Sequence, residues 1–582
     1  MRSLKFSRDA MINGTRPRLK FWGVFLLTLI IYLPFSRLGV DPHHDGIMLT
    51  PALVVARGGV IHRDVFSQYG PITAYLQAVF VWIFGPHLLS IRIASATYLS
   101  LALALLYSSW RRIFGEGIAL FAYLLMISSS YFFVSNSPMH PWSSDVMLFL
   151  QALTIYLLVV GHSFQGKRAS VFTYVGGFVL GLQFTNRYVA AFLMLIGMSL
   201  YYLVCKRKGL RHLWLGVVTS TSAALLLLSL SGSYNEWYFQ AIQFPRNWVS
   251  DVSGTGGWLA IRGAIVSHAL PGAALLLMIV LGFNVASSRF RSLTSLQRVV
   301  TVLFTTLLLV VTSPNLTVPY WNTSDILWTF AGLLLVATPW YLLRFQNRVV
   351  DETTGEAVLF VAAAAASTAI FPISDLRHLY WGLIPSIGPG LMFLKSHLSL
   401  KRNRVVLASL SLVLLVPSTL QSVEATVDND RISVANAPIL QGMLMDRKYS
   451  QFFTDRFQII DEFLAVHPET PVLNICSDGL FASLAPVLKF PDPYFVSWPF
   501  GLDFLSSNTP EGRNRLAFVQ DARPMVWMCP LNEDPQLIAE KYQLRLIPID
   551  PNVETGEPYN WWPYVSYLGV PKEWPQIDLE LD

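Results

Sequence analysis

The sequence predicts a polytopic α-helical membrane protein of about 13 transmembrane helices, with amphipathic juxtamembrane helices and a C-terminal α/β soluble domain. Three observations predict the helical membrane part and the domain that follows it. Only 13% of the 582 residues are charged, against about 25% in an average soluble chain. Apolar runs of near-spanning length recur from Phe21 to Leu420 and then stop. The connections between those runs carry Lys and Arg on alternate turns, which is an orientation signal and not a nucleic-acid footprint.

The first run, Phe21 to Pro34, follows Arg2, Lys5, Arg8, Arg16, Arg18 and Lys20. A signal peptide has the same polarity. The chain continues Phe35-Ser36-Arg37-Leu38 without a small-residue cleavage site, so a retained span with a cytoplasmic N-terminus is expected. About twenty apolar residues cross a bilayer core. Further spans are expected from Ile91, Gly117, Trp142, Val171, Tyr188, Leu213, Arg262, Val299, Ile326, Ala357, Leu379 and Val405, two of them sharing the long apolar stretch before Cys205. Alternate connections hold Arg111-Arg112, Lys167-Arg168, Lys206-Arg207-Lys208, Arg289 with Arg291, Arg344 with Arg348, and Lys401-Arg402. These belong inside, and an odd number of spans then places the C-terminal domain outside the cytoplasm.

Two units follow: residues 1–420 as the transmembrane unit and 421–582 as an extracytoplasmic α/β domain of common domain size. The net charge of +6 hides an asymmetry, because the part after Leu420 is acidic by about twelve charges. Within it, Phe452 to Val466 reads as a helix, and Pro471–Ser477, Pro524–Met528 and Leu544–Pro548 read as strands. The three cysteines, Cys205, Cys476 and Cys529, show no metal-binding spacing. Pairing of Cys476 with Cys529 is left open.

The first outer loop, residues 39–90, is too long for a tight turn and too broken to cross. Gly46 to Ala56 suits a helix ended by Gly58-Gly59, and Pro71 to Phe84 is a second short aromatic piece. Helices of this length lie along an interface more readily than they span it.

Ionisable residues facing a membrane are functional suspects by default. Here they cluster on the outer side: Asp41, His43, His44, Asp45 and Asp64, then His140 and Asp145, then Arg187, Asp375, Arg377 and His378. Asp41 before Pro42 reads equally as an N-cap with proline at the first helical position. Asp45 stands one turn later on the same face, where a cap is no longer needed. Asp64 reads equally as a partner of Arg63, and Arg187 and Arg377 as snorkelling anchors. Read together, a carboxylate can act as general base for a hydroxyl, and arginines can hold a phosphate. Histidine with aspartate can hold a divalent cation, with His43, His44, Asp45 and Asp145 as candidate ligands.

The stretch HHDGIMLTPALVVARGGVIHRDVFSQYGPITAY resembles the first outer loop of GT-C glycosyltransferases. It is most similar to the protein O-mannosyltransferase and lipid A aminoarabinose transferase branch (glycosyltransferase family 39-like). Asp45, Gly59, Asp64 and Gly70-Pro71 occupy the motif positions, with Tyr69 beside them. IFGPHLLSIRIAS with Arg92, SSDVMLFLQAL with Asp145, GLQFTNRYVAAF with Asn186-Arg187 and FPISDLRHLYWGLIP with Arg377 resemble later elements. The resemblance leads to the expectation of a second acid after Asp45, where this chain has Gly46.

The resemblance implies inverting transfer of a sugar from a polyprenyl-phosphate donor to a hydroxyl of a lipid, glycan or protein. Asp45 would be the base. The substrate would be held by Asp41, His44, Asp64, Tyr69, Arg92, His140, Asp145, Arg187, Arg377 and His378. The competing classes are a lipid-linked sugar flippase or transporter, and a non-catalytic assembly subunit. The expected location is a bacterial inner membrane; no nucleic-acid partner and no cofactor beyond the cation are expected.

Overall fold

The computed structural model describes residues 15–128, 139–204 and 208–245, a few positions within 359–382, then 384–397 and most of 431–574. The first half is a row of helices: α1 (Thr15–Tyr32), α2 (Pro42–Ala56), α3 (Pro71–Phe84), α4 (Leu88–Phe114), α5 (Glu116–Ser128), α6 (Ser143–His162), α7 (Gly166–Phe184), α8 (Tyr188–Val204), α9 (Leu210–Leu230) and α10 (Tyr234–Tyr238). Among the described residues, Leu19–Arg37, Leu88–Phe114, Ser143–His162 and Leu210–Leu230 are long and apolar enough to cross a membrane. The protein is therefore a polytopic helical membrane protein. The spans expected from Arg262, Val299, Ile326 and Val405 lie outside the described residues.

Burial separates inner from outer helices. α4 and α6 are mostly buried, whereas α1 and α9 present Trp22, Leu26, Ile30, Leu226 and Leu227 outward, as lipid-facing helices do. α7 and α9 approach closely through glycines. A Cβ at Gly177 or Gly216 would collide with the partner helix's backbone, which is the small-residue packing expected where lipid supplies no hydrophobic drive. The chain breaks between α7 and α8 at Thr185-Asn186-Arg187, dividing the long apolar stretch as anticipated.

α2 and α3 are the two short helices anticipated in the first outer loop, each opened by a proline at its first turn. Gly70, which caps α3, is pressed against the α7–α8 junction. Its N–H donates to the Asn186 carbonyl (3.1 Å), and a Cβ there would strike the Thr185 carbonyl. Thr73 then donates to Asn186 Oδ1 at 2.9 Å.

α11 (Ile387–His397) packs against α4 and α5, and the C-terminal part contains an antiparallel pair β1 (Arg431–Ser433) and β2 (Leu444–Asp446), and α12 (Arg447–Val466). These are followed by β3 (Val472–Asn474), α13 (Gly479–Ala482), α14 (Pro510–Ala522), β4 (Met525–Met528), α15 (Pro535–Lys541), β5 (Leu544–Ile549) and β6 (Ser566–Pro571). The four-stranded sheet has the order β3-β4-β6-β5, parallel only between β3 and β4. The hairpin-like β1–β2 pair and β6 are elements the sequence reading did not find. β1 and β2, three residues each, are too short to show the alternation that marks a strand.

Ile47, Leu49 and Leu53 of α2 share one apolar core with Leu440, Met443, Phe457, Leu480 and Trp527. Full burial of such side chains contributes about 1.5–3 kcal/mol each, so α2 is anchored from the C-terminal side as well as from α4.

Candidate functional site

The site is built on the first turn of α2. Asp41 caps the helix: its side chain accepts from the His44 backbone N–H at 3.0 Å, and Pro42 fills the first helical position. Its other oxygen meets His44 Nδ1 at 2.8 Å. Asp45, one turn on, points into the protein and is fully buried. Its Oδ2 accepts from the Asp41 backbone N–H (2.8 Å) and pairs with Arg92 Nη2. Arg92 is itself fully buried on α4 and donates from Nη1 to the Leu38 carbonyl at 2.8 Å. The remaining oxygen, Asp45 Oδ1, accepts no hydrogen bond. His140 Nδ1 stands 3.7 Å from it, and His140 Nε2 lies 4.0 Å from Asp41 Oδ2.

The electrostatics follow from this geometry. Burial drives the Asp45 carboxyl upward. The Arg92 guanidinium and His140 outweigh it and hold the group below its ordinary range, although Asp41 opposes them. Burial also opposes the ionised form of Asp41, and His44 with His140 reverse that effect.

A second group adjoins the first. Asp145, in the first turn of α6, accepts from Trp381 Nε1 at 2.8 Å, and its other oxygen has no hydrogen-bond partner. The Arg187 guanidinium lies 5.3 Å from the Tyr69 ring centre. Tyr69 is 5.8 Å from Trp142, and Trp142 is 4.7 Å from His44 and 6.4 Å from Trp381, between ring centres. Trp142 Nε1, Ser143 Oγ and Asn186 Nδ2 are further buried polar atoms without hydrogen bonds. Native interiors hold few such atoms, and each calls for an explanation. Of these, Trp142 stands between His44 and Trp381 and so links the Asp45 side of the group to the Asp145 side.

The structure thus brings together Asp41, His44, Asp45, Arg92 and His140, and beside them Tyr69, Asp145 and Arg187. Arg92, expected at the substrate, donates to Asp45 and to the Leu38 carbonyl. Asp64 does not join them. It pairs with Arg63 at 2.7 Å in a half-exposed position and accepts from the Val60 N–H, and Arg63 also donates to the Ser231 carbonyl. Arg377 and His378 lie outside the described residues. Trp142 and Trp381 were missed, because tryptophans near membrane ends are common as interfacial anchors.

A cation is a poor fit to this donor set. Asp45 Oδ2 faces a guanidinium, Asp41 Oδ2 faces His44, and buried His43 packs edge-on against His44 (4.8 Å). Among the described residues no group of three or more His, Cys, Asp or Glu is placed to hold a metal ion.

The buried ionisable residues gather where α2, α4 and α6 meet. Residues 68–231 match the model of the dolichyl-phosphate-mannose-protein mannosyltransferase family, the GT-C branch that the sequence resembles. The chain is also similar to solved GT-C structures. The Archaeoglobus fulgidus oligosaccharyltransferase, in a complex with zinc and sulfate, is 14% identical over 87% of this chain and 67% of its own, with a TM-score of 0.48. Cupriavidus metallidurans ArnT bound to undecaprenyl phosphate is 15% identical over 97% of this chain and 100% of its own, with a TM-score of 0.47. No curated protein sequence matches the chain.

Proposed function

We propose that the protein transfers one sugar from a polyprenyl-phosphate donor to an acceptor hydroxyl at the outer face of the membrane, with inversion, and that Asp45 is the general base. The observation that carries this reading is the asymmetry of Asp45. One carboxylate oxygen is fixed by Arg92 and the Asp41 N–H, and the other is buried and accepts no hydrogen bond, with His140 Nδ1 3.7 Å away. A carboxylate held by one oxygen and open at the other is oriented for a single proton transfer.

The acceptor oxygen attacks the anomeric carbon while the bond to the phosphate oxygen breaks. Arg92 keeps Asp45 ionised at neutral pH. The acceptor proton becomes acidic as the new C–O bond forms, and it passes to Asp45 at that stage. The leaving group is the polyprenyl phosphate, and Arg187, with Arg377 and His378 assigned from the sequence, stabilises its charge. Tyr69 and Trp142 offer apolar ring faces to the sugar, and Asp145 offers a hydrogen-bond acceptor for its hydroxyls. In this reading residues 1–420 form the catalytic unit, the N-terminus is cytoplasmic, and residues 421–582 lie on the outer side of a bacterial inner membrane.

The test uses purified full-length protein in lipid nanodiscs with a panel of labelled polyprenyl-phosphate sugars and delipidated membrane extract as the source of hydroxyl acceptors. Label should move to acceptor with release of the lipid phosphate, and Asp45→Asn should abolish both. Transfer at near wild-type rate by Asp45→Asn would overturn the assignment. Translocation of the labelled lipid without transfer would replace it with a flippase.

A further inference from the structure

We infer that the 479–483 turn of the C-terminal part is a positioning element for the base, holding the helix that carries it. The inference rests on Asp45 being the base. The residue next to Asp45 is Gly46, and it lies against α13. A Cβ at Gly46 would collide with the backbone of Gly479 and Leu480. A Cβ at Gly479 would come within 2.9 Å of the Gly46 carbonyl carbon and the Ile47 nitrogen. One turn further along α2, buried Thr50 donates to Ser483 Oγ (3.0 Å), with the Gly479 carbonyl at 3.3 Å. Leu480, fully buried, joins the core that holds Ile47 and Leu49.

The segment that leads into α2 is held from the same side. The Gly39 N–H donates to the Leu444 carbonyl at 2.8 Å, and Arg37 Nε donates to the Gly442 carbonyl at 3.0 Å. Between them lies Leu38, whose carbonyl receives the Arg92 guanidinium. The C-terminal part therefore fixes both the helix that carries Asp45 and the carbonyl that orients its arginine. The contact also explains why a second acid does not follow Asp45. Position 46 is the surface at which two backbones touch, and no side chain fits there.

The experiment compares Gly479→Ala and the milder Thr50→Val/Ser483→Ala pair with wild type and Asp45→Asn, in the nanodisc transfer assay above. Hydrogen exchange of the α2 amides is measured in parallel. A misplacement of about 1 Å costs up to about 100-fold in rate. Gly479→Ala is expected to lower kcat by about 10- to 100-fold, with donor KM unchanged and faster exchange in α2. Thr50→Val/Ser483→Ala should move both readouts in the same directions by less. Unchanged kcat and exchange in the double variant, with Asp45→Asn inactive, would overturn the positioning role alone. An active Asp45→Asn would instead overturn the base assignment and this inference together.

Discussion

Two aspartate–arginine pairs of the same chemistry stand in opposite surroundings. Asp45 and Arg92 are both fully buried, come from different helices, and are oriented by further backbone groups. Arg63 and Asp64 are sequence neighbours whose side chains keep 49% and 35% of their surface exposed. A buried pair is costly to desolvate and is strongly destabilising to break, whereas an exposed pair is worth little. Both aspartates occupy motif positions in the sequence. Only the structure separates a buried, oriented carboxylate from one that trims a turn.

The largest expected effect follows from Asp45→Asn. General-base removal costs about 100- to 10,000-fold in rate, and transfer assays on folded protein should show it. Arg92→Ala comes next. It leaves a buried carboxylate without its counter-charge and should lower stability by about 3–5 kcal/mol. A loss of thermal stability no larger than that of Arg63→Ala would break the comparison. Arg187→Ala should raise the donor KM and spare folding.

His62, which adjoins the exposed pair, gives a pH signature. It is buried with a positive φ of 69°, and its Nδ1 meets Gln240 Oε1 at 3.0 Å. Burial pushes its pKa down from 6.5 to about 4, against the opposing pull of Gln240. Below pH 6.5 the unfolded chain binds the proton and the folded protein does not. Stability should be flat above that value and fall as the pH drops toward 4, and His62→Gln should remove the slope from thermal unfolding curves. The smallest effect belongs to Asp64→Asn, which should cost less than about 1 kcal/mol and leave transfer intact. A double-mutant cycle on each pair would sharpen the contrast, with large coupling between Asp45 and Arg92 and small coupling between Arg63 and Asp64.

What could be read from the sequence was what short spacing encodes. Asp41 before Pro42 announced a cap, and Asp45 four residues on shared its face; both are found as such. The starts of α4 to α9 fall close to the expected span starts, because apolar runs and basic clusters are local signals. The helix ending at Val466 and the three strands that follow it were legible for the same reason. Arg92 carried only a resemblance, because nothing near it in the chain predicts a partner on α2. The role of Trp381 toward Asp145 depends on two distant helices meeting. Gly46 looked like a missing acid because its neighbour, Gly479, comes from the far end of the chain.

That meeting of glycines has a consequence for how the sequence can drift. Either change alone creates a collision with the opposing backbone, and no change at the other position can relieve it, because glycine already stands there. Side chains at 46 or 479 should therefore appear in relatives only where the turn that carries Leu480 and Ser483 has moved away. A shift of that turn, and not a paired substitution, is the step that frees both positions to vary.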